Sequence, residues 1–240
     1  MHACESGNPF RRGADTWNGV ATERLSTAPA IDAVDLSRRY GTRWALARVS
    51  FRLEQGQSLL LTGHNGSGKT TLLRVLAGAV PASTGRAAIF GLELGKERSE
   101  IRKRVGLLTH ASYLYEDLSA QENLLVPARL LGVPEPVQRV KELLAKVGLE
   151  GRARDSVRQF SAGMRKRLSI ARLLLKEPAL ALFDEPFGEL DPGGIEQMES
   201  LIRELQQAGA TVVLATHLIE QGQSLCAQRL HLSGGRAAQA

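Results

Sequence analysis

The sequence predicts an α/β fold built on a mainly parallel sheet. Short apolar runs that read as strands alternate with segments of helical periodicity along most of the chain. One of these strands runs into an eight-residue glycine loop and then a helix, across residues 58–77. Another, at residues 180–183, ends in the adjacent carboxylates Asp184 and Glu185. That is the sheet edge where α/β folds bind ligands.

The elements follow in order. Residues 31–36 and 45–53 alternate apolar and polar positions, as half-exposed strands do. Ser58-Leu59-Leu60-Leu61-Thr62 is a short apolar run of the buried-strand kind. The segment at 71–77 has helical spacing and stops at Gly78. A turn and strand are expected over 83–91, and a short buried strand at 105–108. Residues from about 111 to 165 have mostly helical periodicity, interrupted at Pro127, Pro134 and Pro136. This block reads as an inserted helical subdomain. Strands at 180–183 and 211–215 complete the sheet, with a helix over 195–207 between them.

Between the first buried strand and its helix, Gly63-His64-Asn65-Gly66-Ser67-Gly68-Lys69-Thr70 fits G-x-x-x-x-G-K-[ST]. Glycines let the backbone curl until successive N–H groups point at one anion. The following helix aims its positive end at the same place. Lys69 is placed for β- and γ-phosphate oxygens, and the Thr70 hydroxyl for Mg²⁺. Asp184 suits a Mg²⁺ ligand, directly or through water. Glu185 suits a base that polarises an attacking water.

Three further pieces accompany these. Phe160-Ser161-Ala162-Gly163-Met164 opens a basic helix and makes a second anion-binding turn. His217 follows the strand at 211–215, where it can meet a γ-phosphate. Tyr40 lies upstream of the glycine loop and is able to stack on a purine.

Bulk properties set the frame. The 240 residues carry a net charge of +6 and 43% hydrophobic side chains, enough for a globular core. The basic residues cluster at 98–104 and 165–167, which fits either an anionic partner or a solvated face. Aromatic residues are only 5%, leaving no stacking platform for single strands, and no nucleic-acid partner is expected. No apolar run approaches the roughly 20 residues that cross a bilayer. Cys4 and Cys226 form no C-x-x-C, so neither a disulfide framework nor a zinc site is expected, and a reducing cytosol is the natural setting. Residues 1–28 lack periodicity and are read as a disordered extension. Arg11-Arg12 there is followed by no apolar stretch, so it is not read as an export signal.

Taken as an ordered set, these motifs resemble the nucleotide-binding domain of an ABC transporter, over about residues 31–235. The resemblance implies the P-loop ABC-ATPase fold, with an antiparallel β region beside the parallel core and a domain spanning 29–236. It assigns Tyr40 to adenine stacking. It assigns residues 63–70, with Thr71, to the phosphates. Ser161, Ala162 and Gly163 match the signature turn, Glu189-Leu190-Asp191 the dimer loop, and His217 the switch histidine. ATP and Mg²⁺ are the implied cofactors. Two copies are expected to pair head to tail, so that Ser161, Gly163 and Asp191 of one complete the nucleotide site of the other. The implied partners are transmembrane permease subunits, and the implied place is the cytoplasmic face of the membrane.

Departures from the family pattern are also legible. Ala162 replaces a glycine and Met164 a glutamine of the signature, and Glu189 stands where small residues are usual. His110 occupies the place of a Mg²⁺-contacting glutamine, giving it an expected catalytic and metal role with pH sensitivity near neutrality. His110 together with Leu114 to Leu124 resembles the haem exporter ATP-binding subunit of cytochrome c maturation, so haem export is the branch expected here. Other ABC exporters, for drugs or lipids, are the alternative. A translation or repair ABC ATPase usually fuses two cassettes or inserts a long coiled coil, and a GTPase would carry N-K-x-D; neither pattern is present.

Overall fold

The computed structural model describes residues 27–109 and 113–238. The chain begins with a long hairpin, β1 (Ile31–Tyr40) and β2 (Arg43–Leu53), and continues into β3 (Ser58–Thr62) and α1 (Lys69–Leu76). Next come β4 (Thr84–Ile89), β5 (Leu92–Glu93), α2 (Arg98–Arg104) and β6 (Val105–Leu108). Three helices follow: α3 (Ala120–Leu130), α4 (Pro136–Lys146) and α5 (Ala162–Leu174). The order closes with β7 (Leu180–Asp184), α6 (Pro192–Gln207), β8 (Thr211–Ala215), α7 (Ile219–Leu225), β9 (Gln228–Ser233) and β10 (Arg236–Ala238).

The strands form two sheets. One is antiparallel, in the order β2-β1-β4-β5; the other runs β10-β9-β3-β8-β7-β6. In the second sheet β9, β3, β8, β7 and β6 are parallel, and only β10 runs the other way. Every residue of β3, β7 and β8 is buried, as expected of parallel strands covered on both faces. Alternate side chains serve two cores. Leu60, Ala181, Phe183, Val212 and Leu214 face the helices α3 to α6. Leu59, Leu61, Leu180, Leu182, Val213 and Ala215 face α1 and the antiparallel sheet. The sheet is therefore the wall between two hydrophobic layers.

Local chemistry sets the helix ends. Ser119 caps α3 through a reciprocal pair with Glu122: its hydroxyl accepts from the Glu122 N–H at 3.2 Å, and the Glu122 carboxylate accepts from the Ser119 N–H at 2.8 Å. Ser161 caps α5, and Asp191 caps α6 with Pro192 at its first position. Pro127 does not interrupt the helical block as expected; α3 runs through it. Pro136 begins α4 rather than breaking it.

The periodicity reading missed five elements: β5, α2, α7, β9 and β10. The hairpin β9–β10 matters most, because it extends the parallel sheet beside β3 and reaches the phosphate loop. Two basic residues near α2 are bound to backbone. The Arg102 guanidinium donates twice to Gly78 O, at 2.8 and 3.2 Å, and Lys176 Nζ donates to Val105 O at 2.7 Å. Part of the 98–104 charge cluster is thus spent on the turn that follows α1.

Asn123 holds the entry to the helical layer. It is 2% exposed. Its Oδ1 accepts from Tyr115 N–H at 2.8 Å, and its Nδ2 donates to the carbonyls of Tyr115, Leu118 and Ser119. Asn123→Ala strands these buried groups and is expected to cost on the order of 2–3 kcal/mol. Urea unfolding checks this as a lower midpoint at constant slope; an unchanged midpoint would remove Asn123 from the set of structural residues.

Candidate nucleotide site

The loop at 63–70 is shaped by contacts that only glycine permits. Gly63 and Gly68 adopt φ of +139° and +109°. A β-carbon on Gly63 would lie 2.2 Å from Leu232 O, and one on Gly68 would lie 2.5 Å from Ala45 O. The loop is thus squeezed between β9 and β2, with no room for side chains at these two points. The turn of the β9–β10 hairpin binds it directly: Gly235 N–H donates to Ser67 O at 3.0 Å, while Gly235 O accepts from Ala47 N–H at 2.7 Å. Ser67 itself is fully buried.

Lys69 turns back over the loop. Its ammonium donates to Gly63 O at 2.7 Å and to His64 O at 3.3 Å. The side chain is 8% exposed, so the charge is held in one place, with its remaining donor capacity available to an anion. His64 turns outward and its Nδ1 pairs with Asn65 O at 2.8 Å.

A cavity of about 420 Å³ opens beside the loop. Asn65, Gly66, Gly68, Lys69, Thr70 and Thr71 line it together with Asp184, Glu185 and Tyr40. Its volume is that of a typical small-ligand site. Arg43 also lines it, a cation that motif reading passed over because it belongs to no pattern and arrives with the β1–β2 hairpin. The Arg38 guanidinium sits 4.7 Å from the centroid of the Tyr40 ring. That contact backs the ring with a cation.

Asp184 ends β7 and is 3% exposed. Glu185, the next residue, takes φ +50°, a costly conformation for a residue with a side chain. Its N–H donates to Ala215 O at 2.8 Å. Its Oε2 accepts from His217 N–H at 3.2 Å and pairs with His217 Nδ1 at 2.8 Å. His217 was expected at a phosphate; here its ring is bound to Glu185. Behind this pair, burial pushes the Lys166 ammonium below its usual range, partly offset by the carboxylates of Glu189, Asp184 and Glu185. Cys226 is remote in character: burial raises its thiol to about 12, which leaves it unreactive near neutral pH.

The remaining expected site residues lie elsewhere. Ser161, Ala162, Gly163 and Asp191 do not line the cavity. Ser161 Oγ accepts from Met164 N–H at 3.2 Å, and Asp191 Oδ1 from Gly194 N–H at 3.0 Å, each as a helix cap. His110 falls outside the described residues. Among the described residues, no cluster of three His, Cys, Asp or Glu side chains could hold a metal by itself.

Comparison with known proteins agrees with this geometry. The family pattern described as ABC transporter matches residues 46–188. The linearmycin resistance ATP-binding protein LnrL of Bacillus subtilis (strain 168) is 32% identical over 198 residues, covering 82% of this chain and 64% of the relative. The bacitracin transport ATP-binding protein BcrA of Bacillus licheniformis is 35% identical over 196 residues, covering 81% and 64%. The chain thus spans about two thirds of the length of these two relatives. Among solved structures, a dimeric post-hydrolysis ATP-binding cassette bound to ADP and Pi superposes with a TM-score of 0.82 at 25% identity, covering 87% of this chain and 97% of that one. An ATP-binding subunit of an ABC transporter superposes at 0.80 with 30% identity, covering 87% and 88%. With its phosphate-type loop, paired carboxylates and two-sheet architecture, the chain belongs to the ABC transporter family as an ATP-binding domain.

Proposed function

We propose that this chain binds and hydrolyses ATP with Mg²⁺ and drives an exporter through separate membrane subunits. The observation that carries the reading is the convergence of Lys69, Thr70, Asp184 and Glu185 on one cavity of about 420 Å³. Lys69 receives the β- and γ-phosphates beside the loop N–H groups, and Tyr40 stacks on the purine. Thr70 and Asp184 fit a Mg²⁺ site of the sparse kind, where one hydroxyl and one carboxylate are supplemented by phosphates and water. The ion, when bound, neutralises charge developing on the transferred phosphoryl group. Glu185 orients the attacking water and takes its proton. His217 steadies that carboxylate through its N–H and Nδ1.

Ser161, Gly163 and Asp191 do not line this cavity, which supports their assignment to the nucleotide of a second copy. The dimeric state named for a related cassette supports the same pairing. Among the described residues no helix is long and apolar enough to cross a membrane, consistent with permease subunits as partners and a peripheral position on the cytoplasmic face.

The relatives named above concern linearmycin resistance and bacitracin transport, and another, 35% identical and from Streptococcus pyogenes, is a lantibiotic transport ATP-binding protein. These names favour a small antibiotic-like or peptide-like cargo over haem. The haem-export branch has no support among them. It rested on His110, which is not described, and on the run Leu114 to Leu124. That run has a sufficient local explanation: Ser119 and Glu122 form a helix cap, and Asn123 ties the preceding loop.

Two substitutions test the mechanism. Lys69→Ala removes a charged donor and is expected to weaken ATP binding by about 10- to 100-fold, read by fluorescence titration with an ATP analogue. Unchanged affinity would overturn the phosphate assignment. Glu185→Gln is expected to keep ATP affinity while lowering hydrolysis by about 100-fold or more. It should also accumulate an ATP-bound dimer in size-exclusion chromatography. Hydrolysis at the wild-type rate would remove Glu185 as the base.

A further inference from the structure

Lys166 lies one turn into α5, the helix that Ser161 caps. It is 6% exposed, yet it carries a charge and is not part of any phosphate motif. Its Nζ donates to the main-chain carbonyl of Glu185 at 2.8 Å. The same carbonyl also accepts from Gly188 N–H, at 3.3 Å. Glu185 is therefore pinned at three points: its N–H to the end of β8, its carboxylate to His217, and its carbonyl to α5. A residue held at φ +50° needs such restraint, because the surrounding structure must over-determine a disfavoured backbone.

A second contact runs beside the first. A β-carbon on Gly163 would lie 3.3 Å from Glu189 O. The first turn of α5 thus rests on the segment that leaves Glu185, with little slack between them. Glu189 is itself at φ +68°. Displacing the start of α5 must therefore disturb the Glu185 main chain, either through the ammonium or through this close packing.

We propose that Lys166 is a positioning residue that ties the Glu185 main chain to the first turn of α5, so that engagement of Ser161 and Gly163 by a second copy's nucleotide sets the Glu185 carboxylate in the first copy's own site. This rests on the paired-copy reading above. The consequence is chemical as well as mechanical. Each copy's base reaches its working orientation only when its own signature turn is occupied, so the two sites fire with positive cooperativity in ATP.

The test compares full-length wild type, Lys166→Met and Lys166→Arg for ATP affinity, kcat, the Hill coefficient of hydrolysis and melting temperature. Lys166→Met removes the donor at similar size. It is expected to bind ATP within about twofold of wild type, to lose about tenfold or more in kcat, and to show a Hill coefficient falling toward one. Lys166→Arg keeps a cationic donor and is expected to recover most of both. Wild-type kcat and cooperativity in Lys166→Met overturn the proposal. So does a fall in affinity, kcat and melting temperature together with an unchanged Hill coefficient, which marks a merely structural lysine. If the Met variant does not fold, Lys166→Gln, with a shorter neutral donor, takes its place; reduced kcat and cooperativity at unchanged affinity support the tie, and wild-type values overturn it. A wild-type protein that neither binds nor hydrolyses ATP defeats the functional reading itself, whereas an active wild type matched by Lys166→Met defeats only the positioning role.

Discussion

The site depends on parallel register at Ala215. This residue pairs with Leu61 of β3 on one side and with Asp184 of β7 on the other. Because the three strands run in the same direction, their carboxyl ends finish side by side. The glycine loop leaves one end, the carboxylates leave the next, and Thr216 and His217 leave the third. A one-residue slip of β7 would turn Asp184 toward the opposite face and carry Glu185 out of reach of Ala215 O. The complete burial of β3, β7 and β8 on two different cores prevents that slip, since any shift exchanges the side chains presented to each layer.

Around this frame the phosphate loop is held from behind as well as from its strand and helix. Leu232 O, Ala45 O and the Gly235 N–H bound it on its outer side. The antiparallel sheet therefore has two jobs that follow from one placement: it supports the loop through β2 and presents Tyr40 and Arg43 to the cavity. The last strand pair has the same dual character. It extends the sheet beyond β3 and brings the Gly235 amide to the loop, so the chain's C-terminal end is tied to its nucleotide-binding element.

The local half of this design was legible in the sequence. The strand–loop–helix at 58–77 and the carboxylates after 180–183 are continuous patterns whose chemistry requires those residues at that spacing, and they meet in the cavity. The parts that were not legible are long-range. β9 carries only Leu230 and Leu232 on an otherwise polar hexapeptide, and its strand identity comes from pairing with β3. Arg43 becomes a site residue only because the hairpin folds over the loop. Lys166 reads as one more charge in a basic run, but its nitrogen is spent on a carbonyl 19 residues away. Pro127 misled in the opposite direction: the α3 core contacts of Leu124 and Ala128 outweigh the single backbone hydrogen bond that the ring removes. Within the run Leu114 to Leu124, Ser119, Glu122 and Asn123 serve helix capping and loop closure, a role that makes no reference to any cargo.

The exposure of the Glu185–His217 pair argues for what a second copy would add. The Glu185 side chain is 28% exposed and that of His217 68%. A carboxylate and imidazole so open to solvent interact through a medium of high dielectric, where their field at a phosphoryl oxygen is weak. The internal restraints tie the Glu185 backbone to α5 and β8 and leave its hydration unchanged. Covering this face with another domain would remove water, strengthen every charge contact in the cavity, and bring anion-binding turns to the side of the nucleotide that this chain leaves open. The final direction of Glu185 and its desolvation thus both answer to pairing, the first through α5 and the second through cover. A link between the signature helix and the Glu185 backbone is the simplest way to make the two arrive together.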